Sequence, residues 1–482
     1  MKTFAPFLRR SWNANPRDGK RRSAPENASR NSVCACVSLF MWVLVPAFVA
    51  GCAQFERGPR DASAVRVEPA LPPSDSSSSR LPRLEQRPPT DSRTSTGNMI
   101  VDGEPFFPIG IYSVPPTELA HARALGFNLV HTYRGEGTAN KEGSAASVEW
   151  LQDYLRAADA AGVKVMLGLP RHAVVNAEYD ELHQRVEALR PFRALAVWYL
   201  YDEPDIEKVP ASAVNAVARI IDELDGTRLK AVVVAGSPSR AADQGYLGVA
   251  DITMVDPYPY VREGADVSVV YRTVAEAARV TRGNKPVWAV VQAHGRGPGG
   301  SGRGYGRLEP PYPELRNMAF QAIAAGARGL LFFTYKGSAF DLTRSPQGQS
   351  NISRVVAEIR DLVPMLLSPP PAEPLIRFLS MPGLVSRSFL HDGAAWLLVV
   401  NSERREMGFS AELRTGTMPT EISVPAEGRS LNSPNGRLED LLGPLEVRLY
   451  RIPVESSAPN GVPPLQDGMV RQDGSPTILP GQ

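Results

Sequence analysis

The sequence predicts an α/β protein, a (β/α)8 TIM barrel followed by a small C-terminal β-sandwich-like domain. Three observations support this prediction. Eight short apolar segments, rich in valine, isoleucine and aromatic residues, alternate with amphipathic stretches of helical length. The run Pro369–Pro371 then marks a boundary, because consecutive prolines cannot continue a helix. Beyond it the pattern changes to short alternating runs separated by turn residues, which is typical of antiparallel sheets.

The barrel prediction depends on the number of strands and on the lengths of their connections. The eight predicted strands are Phe107–Ser113, Asn128–Tyr133, Lys164–Leu169, Ala196–Tyr201, Lys230–Ala235, Asp251–Val255, Pro286–Gln292 and Gly329–Thr334. The predicted helices are Thr117–Leu125, Val148–Ala161, Ala211–Leu224, Val269–Thr281, Pro313–Ala325 and a closing helix, Ile352–Leu367. The fifth connection, Ser237–Val249, has room for only a short helix. A doubly wound open sheet is therefore the alternative to a closed barrel.

Before the first barrel strand, Asp102-Gly103 stands between apolar flanks. This dipeptide is a strong signal for a two-residue β-hairpin, because both of its positions tolerate the positive φ angles of such a turn. We therefore expect a short hairpin immediately ahead of the barrel.

The N-terminal segment has the layout of an export signal. Basic residues crowd the first 32 positions, and an almost wholly apolar run follows up to Gly51. The sequence Val49–Cys52 resembles the lipobox of bacterial lipoproteins, in which the cysteine is acylated and becomes the first residue of the mature chain. On this resemblance residues 1–51 are a lipoprotein signal peptide and Cys52 carries the lipid. An uncleaved transmembrane anchor is the alternative, because the apolar run is close to the length that spans a bilayer.

The same resemblance predicts the location of the protein. A lipid on Cys52 would anchor the chain to a membrane of the cell envelope. Ala53 follows the cysteine, whereas an aspartate there would suggest retention in the inner membrane. We therefore expect the outer membrane of a Gram-negative bacterium.

Changes in composition predict the domain boundaries. Residues 52–97 are rich in proline, serine, arginine and acidic residues and contain few large apolar ones, so they predict a disordered tether. Residues 98–368 form the predicted TIM-barrel catalytic domain and residues 374–453 the predicted C-terminal β-domain. Residues 454–482, rich in proline and glycine, predict a disordered tail.

Charge and cysteine usage exclude several classes of protein. The formal net charge is +2, but the basic N-terminal segment supplies more than this excess, and the remainder is mildly acidic. Without a basic stripe outside that segment, we expect no nucleic-acid partner. The cysteines, Cys34, Cys36 and Cys52, all precede the predicted barrel, so no disulfide framework stabilises the folded part.

The most informative stretch is Ala196–Asp205, where six apolar or aromatic residues run into two carboxylates and a proline. Such a run predicts a strand buried on both faces, and Pro204 ends it because proline cannot donate to a sheet ladder. Asp202 and Glu203 would then lie at the carboxyl end of the fourth barrel strand, the end at which barrel enzymes carry their chemistry. The alternative is a helix N-cap, in which Asp202 or Asp205 satisfies free backbone amides.

Residues that follow the other predicted strands would converge on the same barrel mouth. They combine aromatic rings with carboxyl, amide and imidazole groups. The candidates for substrate contact are Tyr112, His131, Tyr133, His172, Tyr201, Tyr258, Tyr260, Gln292, His294 and Tyr335, and Asp256 is a candidate second carboxylate. Aromatic faces suit the C–H surfaces of sugars, whereas carboxylates and amides suit their hydroxyl groups. This mixture therefore predicts an oligosaccharide or polysaccharide as partner.

Nothing in the sequence supports a metal or a cofactor. No His-x-x-x-His or mixed Cys/His spacing accompanies the histidines of the predicted mouth, so we expect no metal site. The glycine-rich segment Gly295–Arg307 lacks the strand–turn–helix setting of a dinucleotide-binding motif. It is interpreted as a mobile rim or lid, with a plain linker as the alternative.

Several short motifs resemble barrel glycoside hydrolases of the clan A type. Val101–Ile111 is similar to the opening of many of these enzymes, and Tyr199–Pro204 resembles their fourth-strand motif, an amide or aspartate followed by Glu-Pro. Val255–Pro259 and residues 316–335 are also similar to members of this superfamily. The resemblance spans about residues 98–367 and implies a barrel enzyme that hydrolyses O-glycosidic bonds.

The resemblance also implies roles for individual residues. Glu203 corresponds to the general acid/base, and Asp202 to the residue that binds the sugar or orients the acid. A nucleophilic glutamate normally ends the seventh strand, where this chain has Gln292. An amide cannot form a covalent glycosyl-enzyme intermediate through a carboxylate.

The second carboxylate therefore has to come from elsewhere. Asp256 is the leading candidate, and Glu309 and Glu314 are alternatives from the loop after the seventh strand. Because the fourth and sixth strands are not adjacent, we expect a wide separation between Glu203 and Asp256, of the kind found in inverting enzymes. A plain turn role for Asp256, which begins an Asp-Pro pair, is the structural alternative.

Together these observations predict an extracytoplasmic, lipid-anchored glycoside hydrolase with Glu203 as general acid/base. The alternative, favoured by Gln292, is a non-catalytic carbohydrate-binding or scaffold lipoprotein built on a degenerate glycosidase barrel.

Overall fold

The computed structural model describes residues 97–137, 145–259, 266–295, 309–337, 340–370, 376–378, 381–414, 421–433 and 436–454. The predicted signal peptide, Cys52, almost all of the predicted tether and tail, Tyr260 and most of the glycine-rich segment lie outside these residues. Within the described ranges, no helix is both long enough and apolar enough to cross a membrane.

A short hairpin precedes the barrel, as predicted. Strands β1 (Met99–Val101) and β2 (Glu104–Phe106) pair antiparallel around Asp102 and Gly103. Both turn residues have positive φ, 52° and 87°, which is the conformation that a two-residue hairpin of this kind requires. Met99 packs among the side chains inside the barrel, so the hairpin covers the amino-terminal end of the barrel interior.

The eight parallel strands close into a barrel, which confirms the predicted fold and excludes the open sheet. They are β3 (Ile109–Ile111), β4 (Leu129–Thr132), β5 (Lys164–Gly168), β6 (Leu195–Tyr201), β7 (Leu229–Val234), β8 (Ile252–Val255), β9 (Val287–Gln292) and β10 (Gly329–Phe333). Sequential strands are neighbours throughout, and β10 pairs with β3 to close the ring. Each strand lies within its predicted segment or extends one residue beyond it.

Ten α-helices occur in the described residues. They are α1 (Leu119–Ala124), α2 (Val148–Ala161), α3 (Arg171–Asn176), α4 (Tyr179–Leu189), α5 (Pro204–Glu207), α6 (Ala211–Leu224), α7 (Pro238–Asp243), α8 (Val269–Val280), α9 (Tyr312–Ala324) and α10 (Pro346–Leu367). The fifth connection contains only the short helix α7, as its length predicted. Helix α10 starts six residues earlier than predicted, because Ser345 caps it by accepting a hydrogen bond from the amide of Gly348 and Pro346 occupies its first turn.

The barrel has two layers of core side chains, because successive residues of a strand face opposite sides. The inner layer fills the barrel itself and includes Met166, Val197, Met254 and Trp288. The outer layer lies between the strands and the ring of helices and is larger. This alternation decides which residues at the strand ends can reach the mouth.

The C-terminal domain is a β-sandwich, as predicted. One antiparallel sheet contains β11 (Ile376–Phe378), β14 (Met407–Leu413) and β17 (Arg437–Leu442). The other contains β12 (Leu384–His391), β13 (Ala394–Asn401), β15 (Glu421–Val424), β16 (Arg429–Asn432) and β18 (Val447–Pro453). Alternate residues of both sheets, such as Phe409 and Tyr450, form one shared core.

Buried hydrogen bonds connect the sandwich to the barrel. Asn317 on α9 is fully buried, and its amide nitrogen donates to the carbonyl oxygens of Asn401, at 2.8 Å, and Leu445, at 3.0 Å. Gln321 in turn donates to the Asn317 side-chain oxygen at 2.7 Å. The C-terminal domain is therefore docked through specific polar contacts with α9.

These contacts give a stability prediction. We expect Asn317→Ala to lower the free energy of unfolding by about 2 kcal/mol, because it leaves two buried carbonyl groups without their donor. Urea denaturation followed by circular dichroism measures this change. Asn432→Ala, at an exposed asparagine, is the control and should change stability by less than about 0.5 kcal/mol. Equal effects of the two substitutions would contradict the proposed contribution of the buried contacts.

Candidate active site

A bulge in β6 decides which side chains enter the barrel mouth. The register between β6 and β7 shifts between Tyr199 and Tyr201. Val197 and Tyr199 belong to the inner layer, but Tyr201 belongs to the outer one, so the regular alternation is broken there. The next residue, Asp202, consequently turns inward, and its Oδ1 accepts a hydrogen bond from the Tyr199 hydroxyl at 2.6 Å.

Glu203 also reaches the mouth, by a different route. Its backbone is in the left-handed region, with φ 51° and ψ 52°, which is uncommon for any residue except glycine. Although Glu203 precedes α5, its side chain makes no capping hydrogen bond, so it is not used as an N-cap. Asp205 points instead at β7, where it accepts hydrogen bonds from the amides of Ala235 and Gly236.

Asp256, directly after β8, lies against Glu203. It is 8 % exposed, and Glu203 is the neighbouring group that acts most strongly on its carboxyl group. Burial, and then the influence of Glu203, raise the pKa of Asp256 well above its ordinary value. Asp256 therefore favours its protonated form.

The separation of the two carboxyl groups distinguishes two mechanisms. Inverting glycosidases place their two carboxyl groups about 6.5–9.5 Å apart, and retaining ones about 5–5.5 Å apart. The wide separation expected between Glu203 and Asp256 stays a prediction. Oδ1 of Asp256 is buried without a hydrogen-bond partner, so the described residues show no backbone amide capped by that atom.

Asp202 is a second inward-facing acid with an altered pKa. Burial raises the pKa of Asp202 to about 6, the hydrogen bond from Tyr199 opposes this, and the neighbouring Glu203 adds to it. Arg171 and Tyr133 lower it to a smaller extent. Around pH 7 this group is therefore mostly ionised, whereas Asp256 favours its protonated form.

Glu136 also faces the mouth, although it was not among the predicted site residues. Its Oε1 lies 2.8 Å from Nε2 of His131, and its Oε2 is buried without a hydrogen-bond partner. Burial, and then the charge of Asp202, raise the pKa of Glu136 well above its usual value, while Arg171 opposes the shift. Burial lowers the pKa of His131 to about 3. The pair is therefore a neutral imidazole beside a carboxyl group that resists ionisation.

Two glycines make room for Glu136. A Cβ atom on Gly168, at the end of β5, would lie 2.2 Å from the Glu136 side chain, and one on Gly135 would lie 2.4 Å from the Gly168 carbonyl oxygen. Neither position has room for a larger residue. The Gly135-Glu136 pair just beyond the second predicted strand is the sequence signal that would have identified this carboxylate.

Aromatic rings line the mouth between these acids. The Tyr112 ring lies 4.6 Å from that of His131 and 6.2 Å from that of Tyr199, measured between centroids. Phe333, at the end of β10, was not predicted; its ring stacks on Tyr258 at 5.7 Å and meets Tyr112 at 5.7 Å. Tyr133 contacts the His131 ring at 4.6 Å. The predicted residues Tyr112, His131, Tyr133 and Tyr258 are therefore brought together at the mouth.

The seventh strand contributes neutral polar groups. Gln292 is 1 % exposed and occupies the inward position at the end of β9. His294 follows it, 5.4 Å from the Tyr258 ring, and burial lowers the pKa of His294 to about 4. Gln292 therefore ends the seventh barrel strand, as predicted, while its role stays a prediction.

Three predicted contact residues lie away from the mouth. Because of the bulge, Tyr201 faces the outer layer, where its hydroxyl donates to Glu207 at 3.0 Å. His172, on α3, pairs with Glu181 at 2.7 Å near the surface. Tyr335 is completely buried, with its hydroxyl bonded to His121 and Glu118 on the α1 side. These side chains present no free face to a sugar in the mouth, which corrects their assignment.

The alternative second carboxylates are also placed elsewhere. Glu309 accepts a hydrogen bond from Ser345, at the start of α10. Glu314 is buried in α9 and forms an ion pair at 2.8 Å with Arg404 of the C-terminal domain. Both serve the packing of the domain and are wrong as candidates for the mouth. No group of three or more histidine, cysteine or acidic residues within the described ranges could hold a metal ion.

Comparisons with known proteins agree with this architecture. No protein-family profile matches the sequence, and no curated protein matches it. A solved structure of a candidate α-galactosidase/melibiase from Bacteroides fragilis is 12% identical, with a TM-score of 0.50, and the alignment covers 72% of this chain and 78% of that one. The chain has the barrel fold of a glycoside hydrolase.

Other solved structures with this fold are similarly distant in sequence. A family 27 β-L-arabinopyranosidase from Geobacillus stearothermophilus is 12% identical, with a TM-score of 0.49, over 72% of this chain and 97% of that one. A family 30 endoxylanase from Clostridium papyrosolvens is 11% identical, with a TM-score of 0.44, over 75% of this chain and 98% of that one. At such identities the likeness concerns the fold alone.

Proposed function

We propose that this protein is a glycoside hydrolase that cleaves O-glycosidic bonds, with Glu203 as the general acid/base. The observation that carries the proposal is the pair of consecutive carboxyl groups, Asp202 and Glu203, at an aromatic barrel mouth where Glu203 acts on Asp256. An acid that keeps its proton near neutral pH is what cleavage of a glycosidic bond requires.

The proposed mechanism divides the work between two acids. Asp256 favours its protonated form and hands its proton on through Glu203, the more exposed of the two, which protonates the leaving oxygen as the bond to the anomeric carbon breaks. The ionised Asp202 stabilises the positive charge that develops on the sugar ring. Water then adds its oxygen to the anomeric carbon, and its released proton restores the pair.

A screen for products tests the proposal. The full chain without its first 51 residues would be incubated with a broad panel of oligosaccharides and polysaccharides, with release of new reducing ends and binding measured in parallel. We expect release from at least one glycan. Binding without release for every bound glycan would overturn the hydrolase and support the non-catalytic carbohydrate-binding protein, which the buried Gln292 at the end of β9 favours.

The proposal includes an extracytoplasmic, lipid-anchored location. It is supported by the basic and apolar N-terminal segment that ends in Val49–Cys52. We expect cells that express the full chain to incorporate labelled palmitate into the protein, and Cys52→Ala to abolish incorporation. Labelling that persists in the variant would exclude Cys52 as the site of the lipid.

A further inference from the structure

The barrel mouth holds more acids than the proposed mechanism needs. Glu136, Asp202, Glu203 and Asp256 all face it, and the mechanism uses Glu136 for no chemical step. Arg171 is the cation that acts on Glu136 and Asp202. Its guanidinium group is already paired with Glu207. The mouth is therefore poorly supplied with positive charge by the described residues.

The surroundings of Arg171 explain why it does not neutralise these acids. Its guanidinium group lies 4.5 Å from the centroid of the Tyr201 ring, which belongs to the outer layer of the barrel. The imidazole groups of His131 and His294, which do face the mouth, stay neutral because burial lowers their pKa values. Among the described residues, the cation that acts on Glu136 and Asp202 is Arg171, which is paired with Glu207, so a bound molecule can supply further positive charge.

The Glu136 carboxyl group has a free acceptor for such a molecule. Its side chain is 1 % exposed, its Oε1 is used by His131, and its Oε2 has no partner. A buried acceptor without a donor costs about 1–3 kcal/mol, and native structures rarely retain one without a reason. A substrate group that donates to Oε2 would remove this cost.

The chemistry of the two acids selects the kind of donor. A sugar hydroxyl would satisfy Oε2 but would not offset the charge of Asp202, which disfavours ionisation of Glu136. An acetamido group is neutral and brings a bulky acetyl group among the rings of Tyr112, Tyr133 and Tyr199. An ammonium group is small, has three N–H donors and carries the missing charge, and hydrogen bonds between ions are about twice as strong as neutral ones.

We propose that the substrate is a glycan containing an amino sugar with a free amine, and that Glu136 and Asp202 bind its ammonium group. This inference rests on the proposed function and names the class of substrate for the same site. The four acids then form two pairs with separate tasks. Glu203 and Asp256 handle the proton of the reaction, and Glu136 and Asp202 recognise the charged substituent.

The first test compares ligands that differ at a single substituent. The Glu203→Gln variant, which binds without turnover, would be titrated calorimetrically with three matched oligosaccharide series in both the gluco and galacto configurations. The C2 substituent is a free amine, an N-acetyl group or a hydroxyl. We expect an amine-bearing series to bind at least about tenfold more tightly than its two counterparts. Equal or weaker binding of the amines, or no binding of any amine, would overturn the inference.

Proton release is a second, independent measurement. Burial and the charge of Asp202 favour the protonated form of Glu136, so pairing with an ammonium group should release a proton; Asp202, Arg171 and His131 are titratable groups around it. At pH 7 the observed binding enthalpy of an amino sugar should therefore depend on the ionisation enthalpy of the buffer. Binding with no proton release from protein or ligand would contradict this pairing.

A substitution at Glu136 separates recognition from structure. Glu136→Gln keeps the shape and the contact with His131 but cannot supply a charge, so amine binding should weaken about tenfold while binding of the hydroxyl series changes less than about twofold. Glu187→Gln, on the exposed side of α4, is the matched control and should change neither. Equal losses for both ligand series in Glu136→Gln would overturn the assignment to Glu136.

The outcomes distinguish this inference from the proposed function. Cleavage restricted to neutral or N-acetylated glycans would keep the hydrolase and overturn the amino-sugar inference. Selective binding of amino sugars without cleavage by the unmodified protein would overturn the hydrolase and keep the amino-sugar inference.

Discussion

Replacing Glu203 by glutamine is expected to reduce glycoside turnover by about 10³-fold, within the range that general acid catalysis contributes. Glutamine has the same shape but cannot release a proton to the leaving oxygen. The loss should appear in kcat, because the proton moves only in the transition state. Initial rates on a glycan found in the screen, with circular dichroism to confirm the fold, measure this effect.

A nearby carboxylate provides the control. Glu207→Gln removes an acid four residues away that faces Tyr201 and Arg171 on the outer side, and its turnover should stay within a few-fold of the unmodified enzyme. Asp256→Asn should lower kcat and alter the pH profile, because it removes the acid with the raised pKa beside Glu203. Full activity of Glu203→Gln would remove Glu203 from the mechanism.

At pH 8, Asp202→Asn is expected to raise the free energy of unfolding by roughly 2–3 kcal/mol more than it does at pH 4. Burial raises the pKa of Asp202 from 3.8 to about 6, so the folded state binds its proton more tightly than the unfolded state does. Stability from this group is complete below about pH 4 and is lost as the pH rises through about 6, at about 1.4 kcal/mol for each pH unit that separates the folded and unfolded pKa values. Asparagine cannot ionise and therefore avoids the loss.

Urea denaturation of both proteins at the two pH values measures the difference. Asp266→Asn is a control of opposite sign, because Ser268 and Arg272 hold the pKa of Asp266 below its usual value. The stability that Asp266 contributes is present at neutral pH and disappears as the pH falls through the pKa of Asp266 in the folded state. If Asp202→Asn gave the same stability difference at pH 4 and pH 8, the raised pKa of Asp202 would be wrong.

The strands were predictable because each is an apolar run closed by a turn signal, and the closed ring follows from eight such runs with helical connections. The position of Glu203 was predictable for the same reason, since Pro204 ends the strand at a known place. What the pattern could not reveal is the bulge. Nothing in the residue types Tyr199-Leu200-Tyr201 announces an extra residue, so Tyr201 was assigned to the mouth when it faces outward.

Side chains that depend on tertiary contacts were harder to predict. Glu136 lies several residues beyond its strand and reaches the mouth only because Gly135 and Gly168 leave room for it. Tyr335 follows a strand directly, yet Glu118 and His121 hold its hydroxyl on the α1 side. Glu314 was placed near the mouth by its order in the chain, but the sandwich domain supplies Arg404 as its partner. Such partners are distant in sequence and leave no local signal.

The bulge at Tyr199–Tyr201 and the left-handed Glu203 have a consequence for anyone who would transplant this chemistry. Two consecutive acids on a regular strand would face opposite ways, one toward the helices. If Asp-Glu-Pro were grafted onto a regular strand of another scaffold, the sequence would be kept but one of the two carboxylates would face away from the mouth. In the proposed mechanism the course of the main chain positions the acids, so a single-residue deletion within β6 should abolish the proposed activity even with every acid retained.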